Sequence, residues 1–106
     1  MNESTFKTVS LPTAAAGSTP QTVAQGRKVP TRVVVENISG TLVFLAKSSQ
    51  DIVGPGGAAG DAFRLRPDVS HEFILAPLQP LFGAGNGVGA RVSVHSSDAL
   101  YPRYER

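Results

Sequence analysis

A chain of 106 residues has room for one domain and one core, and a second domain would not fit. Only 17% of the residues are charged, Trp is absent, and 11 Gly and 8 Pro favour short strands joined by turns over helices. A formal charge of +2 is too small to imply a nucleic-acid partner, and with no Cys there is neither a disulfide framework nor a thiolate zinc site.

Phe6 to Leu11 reads as a short strand, and Pro12 to Pro20 is small, polar and broken by Pro and Gly. Gln21 to Val29 offers only Val23, Ala24 and Val29 for burial, an edge strand at best. Residues 1–31 are therefore expected to form an N-terminal arm and edge strand, ordered by docking onto something else. Residues 32–100 are expected to form the core, and residues 101–106 a tail.

Arg32 to Lys47, RVVVENISGTLVFLAK, has two strand-forming runs on either side of Ser39-Gly40, which predicts a β-hairpin. With the turn at Ser39-Gly40, Val35 faces Phe44 and Val33 faces Ala46. The inward face is then Val33, Val35, Leu42, Phe44 and Ala46; Arg32, Val34, Glu36, Val43, Leu45 and Lys47 face outward. Val34, Ile38, Val43 and Leu45 leave that outer face too apolar for a small monomer, so a second layer or a neighbouring subunit is expected to cover it. Asn37-Ile38-Ser39 matches a glycosylation sequon, but the turn is the preferred reading.

The Gly-rich segment Ser48 to Asp61 is a long loop interrupted by Ile52-Val53, and it lacks the Gly-Lys-Ser/Thr of a phosphate cradle. Phe63 to Leu65 and Ser70 to Ala76 resume strand alternation across a Pro67-Asp68 turn. Pro77 and Pro80 keep Leu78-Gln79 out of a sheet interior, Leu81-Phe82 return to the core, and Gly83 to Gly89 read as a turn. Arg91 to His95 alternates strictly, with Val92 and Val94 inward. The tail ends YPRYER, which reads either as a contact segment, being rich in the Tyr and Arg that recur at interfaces, or as a disordered, soluble terminus. With Val33 to Ile38 and Leu42 to Lys47, these runs predict an all-β protein: an antiparallel β-sandwich or jelly-roll-like barrel of six to eight short strands.

The residues point to no chemistry. His71 and His95 stand on different strands without metal-ligand spacing, the carboxylates are scattered singly, and no Ser has a nucleophile-elbow pattern around it. No catalytic residue, metal ligand or cofactor is expected, and the chain is read as a non-enzyme. Gly26-Arg27-Lys28 is a local basic cluster without the aromatic platform of a single-strand binder, better suited to a solvated edge or to a salt bridge with an acidic protein surface. The N-terminus shows no signal peptide and no run approaches the ~20 apolar residues of a membrane span, so synthesis in the cytoplasm and no membrane partner are expected.

The runs RVVVENISGTLVFLA, FRLRPDVSHEFILAPLQPLFGAG and ARVSVHSSDAL resemble the small β-sandwich structural proteins of tailed-bacteriophage virions, in pattern and over roughly residues 32–100. The resemblance implies a head decoration or cement protein that binds across major capsid protein subunits, or a collar, spike or baseplate component. It also implies a virion location and a homo-oligomer, a trimer being favoured. The partner contacts expected from the residues are Phe6, Val23, Arg27, Lys28, Val34, Val43, Leu45, Tyr101, Arg103 and Tyr104. Deleting residues 1–20 is expected to leave a folded protein that no longer binds its particle. A carbohydrate- or receptor-binding module is the alternative.

Overall fold

The computed structural model describes residues 4–14, 19–48, 52 and 62–99. These form eight strands: β1 Ser4–Ser10, β2 Gln21–Gln25, β3 Thr31–Asn37, β4 Val43–Ala46, β5 Phe63–Leu65, β6 Ser70–Leu75, β7 Pro80–Gly85 and β8 Arg91–Asp98. They make two four-stranded sheets, ordered β1-β8-β3-β6 and β2-β7-β4-β5, with every ladder between strands antiparallel. The pairs β1-β8, β2-β7, β3-β6 and β4-β5 are nested, as in one long hairpin, and rolling that hairpin up adds the contacts β8-β3 and β7-β4. This is the jelly roll.

The predicted Ser39-Gly40 hairpin does not form. β3 and β4 lie in different sheets, and β3 pairs with β6 and β8. Asn37 is the physical reason, because it extends β3 opposite Val92 while its side chain organises the crossing to the other sheet. Its Nδ2 donates to the carbonyls of Thr41 (2.8 Å) and Leu65 (2.9 Å), and its Oδ1 accepts from Ser39 N (3.0 Å) and Ser39 Oγ (2.7 Å). Fully buried with both donors and both lone pairs used, Asn37 is satisfied and closed to glycosylation in the folded chain.

The core lies between the sheets. Val33 and Val35 of β3, Val92 and Val94 of β8 and Leu75 of β6 meet Val23, Val43, Leu45, Leu65 and Leu81 of the second sheet. Each such side chain removed from water contributes roughly 1.5–3 kcal/mol. Val43 and Leu45 are thus inward, the reverse of the sequence expectation, while Phe44 points to the outer face of the second sheet. There it packs with Ile52 and Ala84, flanked by Ala14, Leu42, Ala46, Ala62 and Phe82. β4 is apolar on both faces because both are covered, and the chain covers the outer one itself through Ile52.

The described residues 4–14 and 19–31 also join the sandwich. β1 and β2 are edge strands, one on each sheet; β1 pairs with β8 over its whole length, and Leu11 and Val23 are in the core. What they dock onto is the chain's own sheets, so removing residues 1–20 would strip an edge strand and a core side chain from the fold. β7 is a central strand where a turn was expected from Gly83 onward. Glycine serves packing there: a Cβ on Gly83 would stand 3.1 Å from both Leu45 and Val23, and one on Gly85 only 2.2 Å from the Ala90 Cβ.

Candidate functional site

One end of the sandwich gathers the β6–β7 turn, the β2–β3 connection and the close of β8. In the turn, Gln79 N donates to Ala76 O (3.0 Å), Pro77 occupies the second position, and Leu78 has φ of 64°. Gln79 folds its Oε1 back to accept from Ala76 N (3.0 Å). Three bonds then tie the turn to the β2–β3 connection: Leu78 N to Arg27 O (2.9 Å), Gly26 N to Gln79 O (2.7 Å) and Gln25 Nε2 to Leu78 O (3.3 Å). The approach requires glycine at 26, where a Cβ would lie 2.3 Å from Ala76 O.

The same connection is braced from below. The Arg27 guanidinium pairs with the Asp98 carboxylate, Arg27 N donates to Thr31 Oγ1 (2.9 Å), and that hydroxyl donates to Val29 O (3.1 Å). Ala99 N donates to Pro30 O (2.8 Å). Lys28 is exposed, and Lys47 reaches across with Nζ donating to Ile74 O (3.3 Å).

Leu78 stands out on this surface. A left-handed φ at a β-carbon-bearing residue costs roughly 1–2 kcal/mol, and this turn geometry ordinarily takes Gly or Asn at that position. Yet Leu78 is 64% exposed and absent from both apolar clusters, so the strain is not offset by burial. The result is an exposed apolar knob on a loop braced by hydrogen bonds, with Arg27 and Lys28 on the adjoining connection.

The residues expected to touch partners are dispersed. Phe6 is 72% exposed on the outer face of the first sheet, where the register places it in one cross-strand row with His95, Val34 and Glu72. The Phe6 and His95 ring centroids are 6.2 Å apart, and Val34 is half-buried. Arg27 and Lys28 lie at the Leu78 end. Val23, Val43 and Leu45 are completely buried in the chain's own core, so as partner contacts they are corrected: burial leaves them nothing to offer a second molecule. Tyr101, Arg103 and Tyr104 lie outside the described residues. Leu78 was missed because a leucine code carries no sign of φ; the Pro77 before it was the available signal of a turn.

His95 lies on the outer face of the first sheet, whereas His71, opposite Val35 and on the same side of β6 as Phe73 and Leu75, is on the inward face and exposed because it sits at the margin. His71 is nevertheless engaged: it stacks on Phe63 at 4.2 Å, and Phe73 meets both rings edge-on, at 4.9 Å from His71 and 5.7 Å from Phe63. These rings join β5 of one sheet to β6 of the other at the margin of the sandwich, each contact contributing about 0.5–1.5 kcal/mol beyond area. Among the described residues no three His, Asp or Glu side chains gather as a metal site would require.

No protein-family model matches the chain, and no curated protein matches it. Among solved structures, it is similar to a chain from Bacillus endospore appendages, described as a novel family of disulfide-linked pili. The likeness covers 95% of this chain and 88% of that one, with a TM-score of 0.56 and 12% identity. At that identity the likeness is one of fold. Disulfide linkage is closed to the present chain, which has no Cys.

Proposed function

We propose that this jelly roll is a structural, non-enzymatic subunit that works by protein–protein contact within a larger assembly. The observation that carries the reading is Leu78: the chain keeps a strained, exposed apolar side chain on a braced loop, where Asn or Gly would fold better. Lys28 and Lys47 favour an acidic rim on the surface that receives it. In finer detail, the strand-pattern resemblance supports a virion decoration protein seated on the major capsid protein. A second reading, a subunit that stacks with copies of itself into a fibre, is favoured by the fold likeness to the endospore-appendage chain.

A photo-crosslinking amino acid at position 78, in particles or fibres that contain the chain, tests the proposal. The crosslink is expected to reach another protein: a capsid subunit under the first reading, a second copy under the other. A chain that sediments as a lone monomer at all concentrations, crosslinks to nothing and turns over a small molecule would contradict both.

A further inference from the structure

The chain has three asparagines, Asn2, Asn37 and Asn86, and the two described ones sit in opposite chemical settings. Asn37 is completely buried, its carboxamide is fully bonded, and Ile38 follows it. Asn86 is exposed in the turn between β7 and β8, and Gly87 follows it. The Asn86 N–H donates to Leu42 O (2.8 Å), which fixes the near side of the residue. Among the described residues, neither the Asn86 carboxamide nor the Gly87 N–H has a hydrogen-bond partner.

We propose that Asn86 is a site of spontaneous deamidation in the folded protein. The deprotonated backbone nitrogen of Gly87 attacks Asn86 Cγ, and a side chain on the following residue would obstruct that approach; glycine has none. The N–Cγ bond forms, the Cγ–Nδ2 bond breaks, and the amide nitrogen leaves as ammonia with the proton taken from solvent. The product is a five-membered succinimide. Water then opens it at either carbonyl. Cleavage on the side-chain side gives Asp, and cleavage on the backbone side gives isoaspartate, with the main chain routed through Cβ. The net change is an amide and a water converted to an acid and ammonia.

The consequence is local. A new carboxylate appears beside Val88, which is 94% exposed, and in the isoaspartyl product the β7–β8 turn gains one backbone atom. The inference does not depend on the proposed function. In a protein held for long periods in an assembly, the extent of conversion records its age.

The test incubates the full folded chain in mildly alkaline buffer and follows each asparagine by peptide mass mapping, with an isoaspartyl methyltransferase to detect the isomerised product. The Asn86 peptide is expected to convert to two isomeric acids while the Asn37 peptide stays an amide. Gly87→Ala is expected to slow the conversion by at least about tenfold, equivalent to ~1.4 kcal/mol of barrier. That variant fits the fold, because a methyl at Gly87 comes no closer than 3.4 Å to Thr41 Oγ1 and the residue has no left-handed φ. Conversion in the guanidinium-unfolded chain but not in the folded one, or an unchanged rate in Gly87→Ala, would overturn the proposal.

Discussion

The turns at the two ends of β6 share a backbone plan and differ in the residue at its most demanding position. Arg66-Pro67-Asp68-Val69 closes with Val69 N donating to Arg66 O (3.2 Å) and φ of 65° at Asp68. Ala76-Pro77-Leu78-Gln79 closes in the same way with φ of 64° at Leu78. Asp accepts the left-handed region with little penalty, and Leu does not. The Asp68 turn also abuts the Asn37 crossing, through Asp68 N to Asn37 O (2.9 Å) and Asn37 N to Val69 O (3.0 Å). One end of the sandwich is therefore composed for folding, and the other keeps strain with a greasy side chain outside. Such a difference between matched turns is expected where one of them serves a contact.

The largest effect should come from the end composed for folding. Asn37→Ala leaves the Thr41 and Leu65 carbonyls and the Ser39 N–H without their partner, and is expected to cost about 3 kcal/mol in denaturant unfolding. A loss well below that would mean the crossing is not what holds this end. Gly26→Ala comes next, since its Cβ must push the Ala76 carbonyl away; about 2 kcal/mol is expected. Because that shift also moves Leu78, this variant should lose assembly contacts as well as stability.

The smallest changes sharpen the comparison most. Asp68→Leu is expected to lose about 1 kcal/mol and Leu78→Asn to gain about 1 kcal/mol, opposite signs from matched positions. Thermal unfolding of the two variants checks this. Equal signs would show that the turns do not differ in strain.

Much of the fold was legible because alternation reports burial on one face. Val92 and Val94, and Val33 and Val35, follow from it, while the edge character of Gln21–Gln25 was legible from how little that run has to bury. β4 was not legible in that way, since VFLA is apolar on both faces and offers no alternation by which to choose an inward side. Pairing was harder still. In this jelly roll only β4 and β5 are both consecutive in the chain and bonded to each other, so a rule that seeks local hairpins assigns β3 the wrong partner. Gly83 and Gly85 concealed β7, because the close contacts that require them come from β2, β4 and the residue before β8. At the candidate site, Arg27 and Lys28 were visible as a basic cluster. Leu78 was not, because its exposure and its φ depend on bonds to Gln25, Gly26 and Arg27, which lie some fifty residues earlier.

The claim that Leu78 is retained for contact meets its most direct test in Leu78→Asn, with melting temperature and incorporation into the native particle or fibre measured on the same preparation. A higher melting temperature together with lost incorporation is the predicted result. A higher melting temperature with incorporation intact would show that the knob serves no contact.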